Sequence, residues 1–493
     1  MLGLPHHDGA YAARPQPGSF AATGWRRETG SHRMTLPAVG NRTPDLLVIG
    51  GGSGGLSAAR AAAQRSADVV LIERGRLGGE CTYTACMPSK ALIAAAHQGC
   101  SFDESMTAVR HAVETVAALV DDEALHRDGV RVVHGTARFI APGVVDVDGD
   151  TWRCRRIVLA TGSRPAVPSI AGLKHVRLLT NENVFDLEHQ PARLGVLGGG
   201  AMGCELAQAF QRLGTTVTLI EAEARLLPSE EPEASAVIEH VLRRDNIDVR
   251  VNTRLTRVEA SAPGQANLLL SDGTGVDVDA VLVAIGRVAA VEGLGLDNAG
   301  IAVADGTIVT NDRLATSADG VWAVGDVNGK LELTHAADEM GRIAVANALA
   351  RWRRHRFGPD AIPAVVFTDP EVARVGPTLA NLGGRRYRVA YLPMTEVDRA
   401  IAAGETDGFV QLVAGPRPLL RDLGGGRLVG ATVVASRAGE LISETALAVR
   451  TGMFVGRLAQ TVHPYPTWSV ALRQTAAQFL MEIDGRKARR PDR

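Results

Sequence analysis

The stretch DLLVIGGGSGGLSAARAAA, which runs from Asp45 to Ala63, decides the fold of this chain. It predicts a short buried strand, a turn with the glycine pattern GxGxxG, and an alanine-rich helix. The first glycine permits a tight turn, the second lets backbone N–H groups approach a pyrophosphate, and the third lets the helix pack closely on the strand. The helix N-terminus favours an anion at the same place. The residues predicted to bind a dinucleotide here are Gly50, Gly52, Ser53, Gly54 and Gly55.

An acidic residue follows this unit at the distance that such a site needs. The segment ADVVLIERG predicts a second strand that ends in Glu73, about 20 residues after the turn. A carboxylate at that place can hold the 2′-hydroxyl of a ribose. The glycine pattern alone is weak, since a glycine-rich loop can serve packing only, but the strand, the helix and the acid together predict a dinucleotide site.

The same pattern occurs a second time. RLGVLGGGAMGCELAQAF, from Arg193 to Phe210, predicts a strand, a turn and a helix, and TVTLIEAEARLLP predicts a strand that ends in Glu221. Glu221 attracts a ribose diol and repels a 2′-phosphate, which favours NADH over NADPH, although Arg225 lies near enough to soften this preference. The predicted binding residues of this unit are Gly198, Gly200, Met202, Gly203 and Glu221. Two units predict two dinucleotides, naturally FAD and NAD(H), and electron transfer between them.

Two cysteines lie between these units, in GGECTYTACMPSKALIAAAH, which begins at Gly78. In one regular helix Cys81 and Cys86 would be about 7.5 Å apart along the axis, with side chains about 140° apart. A disulfide needs Cα atoms within about 7 Å, so the two cannot pair inside one helix. Because Pro88 suits a first helical turn, we predict that the helix starts around Cys86 and that Cys81 belongs to the preceding loop.

A cysteine at a helix N-terminus has a stabilised thiolate, because the helix dipole favours negative charge there. A thiolate of low pKa beside a flavin is what two-electron exchange between a flavin and a disulfide requires. The alternatives are two cysteines that are close by chance, or a metal pair. The second is disfavoured because a metal site needs about four ligands, and we predict no metal site.

Several motifs in a fixed order carry a resemblance to the class I pyridine nucleotide–disulfide oxidoreductases, and within them to dihydrolipoamide dehydrogenase and mercuric reductase. The two glycine units and the cysteine stretch with its PSK are joined by VLATGSRP at residues 158–165, VLVAIGR at 281–287, VWAVGDV at 321–327 and FTDPEVARVG from residue 367. The resemblance covers roughly residues 45–479. It implies an FAD-dependent enzyme that works as a homodimer.

The resemblance also assigns roles to single residues. Cys86 matches the thiol next to the flavin, and Cys81 matches the interchange thiol that meets the substrate. Lys90 matches a lysine beside the flavin that pairs with a carboxylate, here Glu205. Asp326 matches the aspartate that binds the ribityl chain of the flavin. The further positions that the resemblance assigns to cofactor binding are Gly135, Thr161, Gly162, Ser163, Thr334 and, beside the nicotinamide nucleotide, Gly286.

The fold class that follows is α/β, with two Rossmann-like dinucleotide-binding domains for FAD and NAD(P) and a C-terminal α+β dimerisation domain. Short β runs bounded by Gly and Pro from about residue 362 predict an antiparallel sheet, and RAGELISETALAVRTGM predicts a helix after it. The predicted boundaries are a disordered extension over 1–43, the FAD domain over 44–187 and 297–361, the NAD(P) domain over 188–296, the dimerisation domain over 362–483, and a solvated basic tail over 484–493.

The segment HPYPTWSV, from His463 to Val470, covers the family's acid/base pair, a histidine with a glutamate five residues later that the partner subunit contributes across the dimer. Two alignments are open. If His463 is the base, its partner position is Trp468; if the Pro-Thr pair is the anchor, the base position falls on Tyr465 and the partner position on Val470. We prefer the second alignment, in which Tyr465 resembles mercuric reductase. The glutamate is missing in both.

This departure bears on the activity. A tyrosine with an ordinary pKa of about 10 is a poor base but a fair proton donor, which favours reduction of a disulfide over oxidation of dihydrolipoamide. Mercuric reductase uses a C-terminal cysteine pair, whereas no cysteine follows Cys204 here. Glutathione reductase fits less well, because Glu221 and Leu227 stand at the positions of its NADPH-binding arginines.

The sequence therefore predicts an FAD-dependent NAD(P)H oxidoreductase that passes electrons through a Cys81–Cys86 disulfide to a small-molecule disulfide, dithiol or similar acceptor. The alternatives are a flavoprotein reductase of a metal ion, a quinone or oxygen, and a non-catalytic redox sensor. With 53 Lys+Arg against 54 Asp+Glu and no long apolar run, neither nucleic acid nor a membrane is an expected partner. Five sparse cysteines without a signal peptide are typical of a cytoplasmic protein.

Overall fold

The computed structural model describes residues 43–490, with gaps at residue 263, residues 351–353 and 383–385, and residues 418 and 420. The predicted N-terminal extension lies outside the described residues except for its last residue. No helix in the described part of the chain is both long enough and apolar enough to cross a membrane.

The first domain begins with a strand whose four side chains are all buried, as in a parallel sheet that is covered on both faces. A capping box starts one of its two longest helices, where Ser101 and Glu104 each accept the other's backbone N–H. The elements up to residue 165 are β1 (Leu46–Ile49), α1 (Ser53–Ala63), β2 (Val69–Glu73), α2 (Gly79–Tyr83), α3 (Cys86–His97), α4 (Phe102–Ala117), α5 (Asp122–Arg127), β3 (Arg131–His134), β4 (Ala137–Ala141), β5 (Val144–Val147), β6 (Asp150–Arg153), β7 (Ile157–Leu159) and β8 (Ser163–Pro165).

The second domain repeats the arrangement of the first. Its elements are β9 (Arg177–Leu179), β10 (Arg193–Leu197), α6 (Ala201–Arg212), β11 (Thr216–Ile220), α7 (Pro232–Arg244), β12 (Asp248–Arg250), β13 (Leu255–Ala262), β14 (Gln265–Leu270), β15 (Gly275–Val278) and β16 (Ala280–Val283). The strand order β12–β11–β10–β16–β9 gives a parallel sheet, and β13, β14 and β15 form an antiparallel sheet beside it.

The chain then returns to complete the first domain. It adds β17 (Arg287–Ala289), β18 (Val303–Ala304), β19 (Thr307–Ile308), β20 (Val321–Ala323) and α8 (Thr334–Leu349). The first parallel sheet thereby has the order β20–β7–β1–β2–β3, with α1 and α8 packed against each other in one core. Strand β8 precedes the second domain in the chain and strand β17 follows it. The two strands pair, so the segments that lead into and out of the second domain lie side by side.

The third domain is an antiparallel sheet followed by helices, as the sequence predicted. Its elements are β21 (Ala364–Val366), β22 (Glu371–Val375), β23 (Arg388–Pro393), α9 (Asp398–Ala403), β24 (Phe409–Gly415), β25 (Arg427–Ala435), α10 (Ala438–Thr451), α11 (Val455–Gln460) and α12 (Val470–Ala477). The strand order is β21–β22–β25–β24–β23. One apolar core joins all three domains, since Leu92 of α3, Phe210 of α6 and Phe409 of β24 are buried in the same cluster.

Two predicted boundaries differ from the structure. Strand β9 pairs with β16 in the second sheet, so the second domain takes in chain that precedes the boundary predicted at residue 188. Strand pairing over long distances decides this boundary, and no local signal marks it. The basic tail was predicted to be solvated over 484–493, but its described part contacts the third domain. Arg489 and Val389 exchange two backbone hydrogen bonds of 2.7 and 2.8 Å, and Arg486 pairs with Glu396.

The two glycine turns have the same geometry. In each, the first glycine has a positive φ of 105°, at Gly50 and at Gly198. A Cβ on the third glycine, Gly55 or Gly203, would lie 1.8 Å from the carbonyl oxygen of that first glycine. The packing of helix on strand therefore requires glycine at both places. A Cβ on Gly200 would meet nothing within 4 Å.

We expect Gly203→Ala to lower the free energy of unfolding by about 1–3 kcal/mol or more, because the new methyl group collides with backbone that must then shift. Gly200→Ala is the matched control, since its backbone is extended and its added methyl group meets no protein atom. Thermal unfolding of the two variants measures the difference. Equal melting temperatures would contradict close helix–strand packing at Gly203.

Candidate active site

The cysteine stretch folds into two helices. Helix α3 begins at Cys86, as predicted, with Pro88 buried in its first turn. Cys81 was predicted in a loop, but it lies in the five-residue helix α2. Gly78 starts that helix with a φ of 104°, a conformation open to glycine and missed by the sequence argument. The break between α2 and α3 at Thr84 and Ala85 lets the two thiols meet, which one continuous helix would not.

The two thiols have opposite character. Both are free, and their sulfurs lie within hydrogen-bonding reach of each other. The hydrogen bond from Cys81 lowers the pKa of Cys86 to about 6, helped by the Thr334 hydroxyl 3.1 Å away and the charge of Lys90, while burial opposes the shift. The same hydrogen bond and burial raise the pKa of Cys81. Cys86 is thus the thiolate of the pair, as its place at a helix N-terminus predicted.

Lys90 and Glu205 form an ion pair behind the thiols. Lys90 Nζ lies 2.7 Å from Glu205 Oε2, and the Glu205 side chain is buried. The second carboxylate oxygen of Glu205 accepts the backbone N–H of Phe367 at 2.9 Å, and the Phe367 ring lies 4.4 Å from Lys90 Nζ. The pairing that the resemblance implied is therefore present, and it connects helix α3, helix α6 and the start of the third domain.

The first glycine turn fits the pyrophosphate of a dinucleotide. Helix α1 starts after Gly52, and a Cβ on that glycine would meet no atom within 4 Å. No side chain caps the first N–H groups of the helix. Glu73 accepts the N–H of Gly51 at 2.5 Å and that of Gly75 at 2.6 Å, so the acid is held at the end of β2 beside the turn. The free N–H groups and the placed carboxylate match what FAD requires of this unit.

The second turn repeats these contacts for a second dinucleotide. Glu221 accepts the N–H of Gly199 at 2.5 Å and that of Glu223 at 2.7 Å. Helix α6 also starts at an uncapped glycine, Gly200. Arg225, which could have faced a phosphate, instead donates hydrogen bonds to Ser235 and to carbonyl oxygens of its own loop.

A charged network lies where the resemblance places the flavin. Asp326 contacts the Ser163 hydroxyl, and Arg287 donates to the same hydroxyl at 2.7 Å. Arg287 also pairs with Glu80, the residue before Cys81. Burial raises the pKa of the Glu80 carboxyl, and Arg287 opposes the shift. The sequence argument assigned no role to Glu80 or Arg287, because their pairing spans 207 residues.

The remaining predicted residues lie around these two turns. The Thr161 hydroxyl donates to the carbonyl oxygen of Ala290 at 2.9 Å and so connects the segments before and after the second domain. The Ser53 hydroxyl lies within hydrogen-bonding reach of the Cys81 sulfur. Gly135 donates its N–H to Glu73 O at 3.0 Å beside the first unit. The other positions, each consistent with a ligand contact by its open space or its place at a helix N-terminus, are Gly162, Gly286, Thr334 and Met202.

The two candidate acid/base residues of the C-terminal segment differ in their exposure and in their contacts. The Tyr465 side chain is 72% exposed, and its hydroxyl donates to Asp398 Oδ2 at 2.8 Å. The His463 side chain is only 5% exposed, and its Nε2 points to Glu444 of α10 at 3.6 Å. Tyr465 is therefore open to solvent, whereas His463 is not. Asp398 was missed by the sequence argument, because it is 67 residues away from the tyrosine it contacts.

No cluster of three or more His, Cys, Asp or Glu side chains that could hold a metal ion occurs among the described residues.

Comparison with known proteins identifies relatives along nearly the whole described chain. Residues 44–341 match the family model described as pyridine nucleotide-disulphide oxidoreductase, and residues 362–476 match the dimerisation domain of the same family. A mercuric reductase from Streptomyces lividans is 35% identical over 471 residues, which are 89% of this chain and 97% of that relative. A dihydrolipoyl dehydrogenase from Thermus scotoductus is also 35% identical, over 88% of this chain and 97% of its own.

Two solved structures are similar to this chain over most of its length. LpdA from Mycobacterium tuberculosis superposes with a TM-score of 0.81 at 29% identity, covering 88% of this chain and all of its own. The HOCl-induced flavoprotein disulfide reductase RclA from Escherichia coli has a TM-score of 0.79 at 28% identity, over 88% of this chain and 99% of its own.

We expect the alkylation of Cys86 by iodoacetamide in the reduced protein to slow as pH falls through about 6, because its thiolate is protonated there. Lys90→Gln should move the midpoint upward, since the charge of Lys90 lowers the pKa of Cys86. Lys174→Gln, at an exposed lysine, is the control. Mass spectrometry of labelled peptides reads the rate, and a midpoint near the ordinary cysteine value of about 8.5 would contradict the assignment.

Proposed function

The chain belongs to the FAD-dependent pyridine nucleotide-disulphide oxidoreductases, and from this premise we propose that it uses NADH to reduce a small disulfide acceptor through Cys81 and Cys86. Its cofactors are FAD and a nicotinamide dinucleotide, and its dimerisation domain supports a homodimer. One observation carries the proposal: the Cys86 sulfur, at the start of helix α3 and 3.1 Å from the Thr334 hydroxyl, lies within hydrogen-bonding reach of the Cys81 sulfur.

FAD, when bound at the first glycine turn, supplies the two-electron link between the nicotinamide and the cysteine pair. The protein's own groups do the rest. Ser163, Asp326 and the first turn would hold the flavin, while Lys90 and Thr334 keep Cys86 ionised beside it. Cys86 lies deeper in the site, so Cys81 is the sulfur assigned to the acceptor.

A disulfide acceptor is reduced in two exchange steps. Cys81 gives its proton to the Cys86 thiolate and its sulfur attacks one acceptor sulfur; the acceptor S–S bond breaks, and the other sulfur leaves as a thiolate with the electron pair. The Cys86 sulfur then attacks Cys81, which forms the Cys81–Cys86 disulfide and releases the second acceptor thiolate, and this thiolate takes the proton that Cys86 loses. Two electrons pass from the protein to the acceptor, and water supplies the proton of the first thiolate.

NADH is the proposed donor because of Glu221. Its carboxylate is buried and fixed by two backbone N–H groups at the place where the adenosine ribose meets a Rossmann strand. A 2′-phosphate there would face a like charge. Arg225, which could neutralise one, is engaged within its own loop.

A metal ion is the second candidate acceptor. The similarity to mercuric reductases and the tyrosine at position 465 favour it. We place the protein in the cytoplasm, since a thiol pair that must be reduced in each cycle suits a reducing compartment.

We expect Cys81→Ser to abolish NADH-dependent reduction of dithiobis(nitrobenzoate), because the attacking sulfur is gone, while anaerobic NADH still bleaches the flavin. Cys100→Ser, at a cysteine outside the pair, is the matched control and should leave turnover unchanged. Parallel assays with Hg(II), a quinone and oxygen compare the acceptors. Undiminished disulfide turnover by Cys81→Ser, or faster turnover of Hg(II) than of the disulfide, would contradict the proposal.

We expect Glu221→Gln to weaken NADH binding by about tenfold, because a charged acceptor in the site is worth roughly 1.5–3 kcal/mol. The preference for NADH over NADPH should shrink as the like charge is removed. Titration of each nucleotide against the oxidised protein measures both affinities. Bound FAD should stay constant, since it belongs to the other turn, and an unchanged ratio of NADH to NADPH affinity would exclude Glu221 as the selecting residue.

A further inference from the structure

Tyr465 has a carboxylate partner that does not come from its own segment. Its hydroxyl donates to Oδ2 of Asp398, the first residue of helix α9, at 2.8 Å. The position where the family carries a glutamate is Val470, which is buried and starts helix α12. A carboxylate is thus present at the acid/base position, but it arrives from another element and meets a tyrosine.

We propose that Asp398 is the positioning residue for Tyr465 and that the pair confines this enzyme to reduction of its acceptor. The inference rests on the function proposed above and on the resemblance, which puts Tyr465 at the acid/base position that meets the acceptor across the dimer. Oxidation of a dithiol needs a base to take the thiol protons, whereas reduction of a disulfide needs only stabilisation of the departing thiolate.

The phenol of Tyr465 decides between these two roles, and Asp398 reinforces it. A phenol with an ordinary pKa of about 10 keeps its proton near neutral pH, and the hydrogen bond and negative charge of Asp398 raise the pKa of Tyr465 further. A protonated phenol can donate a hydrogen bond to a departing thiolate, but it cannot accept a proton from an incoming thiol. The hydroxyl can turn from Asp398 to the sulfur by rotation about its C–O bond, without movement of the ring that Asp398 has oriented.

The other groups near the pair do not replace it as a base. Arg399, Thr467 and Gln474 line the same small gap between α9 and the tyrosine segment, and none of them is a base near neutral pH. The His463 ring is buried and its Nε2 points to Glu444. A histidine in that position is separated from the exposed face on which the tyrosine stands.

The proton and electron balance follows the exchange described above. Cys81 attacks the acceptor disulfide, and the sulfur that leaves takes the bonding electron pair. The Tyr465 hydroxyl donates a hydrogen bond to that sulfur as its charge develops, and water supplies the proton that makes the free thiol. NADH replaces the two electrons through the flavin, so no further reactant is needed.

The test compares Asp398→Ala, Asp398→Asn, Tyr465→Phe and the double variant Asp398→Ala/Tyr465→Phe in the FAD-loaded full chain, with dithiobis(nitrobenzoate) and NADH. We expect Asp398→Ala to lower kcat about tenfold, since the ring loses its orientation. Asp398→Asn should stay within about twofold of wild type, because its amide oxygen still accepts the hydrogen bond. Glu405→Gln, at an exposed acid just after α9, is the matched control.

The double variant and the reverse reaction give readouts that general destabilisation would not. The double variant should lose no more than Tyr465→Phe alone, because the two residues act as one unit. Wild type should oxidise dihydrolipoamide with NAD⁺ at least tenfold more slowly than it reduces the disulfide near neutral pH. In Asp398→Asn, dihydrolipoamide oxidation should begin at a lower pH than in wild type, because removal of the carboxylate charge lowers the pKa of Tyr465.

Two results would overturn this inference and leave the proposed function standing. One is an equal fold-loss of kcat from Asp398→Ala in the wild-type protein and in Tyr465→Phe. The other is rapid oxidation of dihydrolipoamide by the wild-type protein at neutral pH. Undiminished disulfide turnover by Cys81→Ser would overturn the proposed function, and this inference with it. The result with Cys81→Ser therefore distinguishes a failure of the proposed disulfide chemistry from a failure of the Asp398–Tyr465 pair.

Discussion

The ion pair between Lys90 and Glu205 is the interaction on which the active site depends. Glu205 is a buried carboxylate in the second domain, and a buried charge is stable only when it is paired and hydrogen-bonded. It takes one partner, Lys90, from the helix that carries Cys86, and another, the Phe367 N–H, from the first residues of the third domain. The charge of the same lysine adds to the hydrogen bonds from Cys81 and Thr334 that lower the pKa of Cys86. One lysine therefore contributes both to the arrangement of the domains and to the thiol chemistry.

The shared apolar core strengthens this coupling. Side chains from α3, from α6 and from the third sheet are buried in one cluster, so the three domains do not have separate interiors at this junction. A change in any one of them alters the packing around the thiols. The glycine turns add a second constraint, because helix and strand approach each other more closely than any Cβ allows.

The parts of this structure that the sequence predicted are those with local causes. The two glycine turns, their acids and the start of the helix at Cys86 depend on residues within one short segment, so spacing alone was enough. The boundary near residue 188 was predicted too late, because β9 is assigned by its pairing with β16, about a hundred residues further along. Asp398, Arg287 and Glu80 had no local signal at all. Their roles arise from contacts over 67 and 207 residues, which only the folded chain brings together.

The end of the chain also protects the third sheet. Strand β23 stands at the edge of that sheet, where free N–H and C=O groups invite pairing with another molecule. Arg489 fills that place by exchanging two hydrogen bonds with Val389, and Arg486 is held by Glu396 nearby. The segment around Arg489 thus takes up the hydrogen-bonding groups of Val389, which are not open at this point to a strand of another molecule.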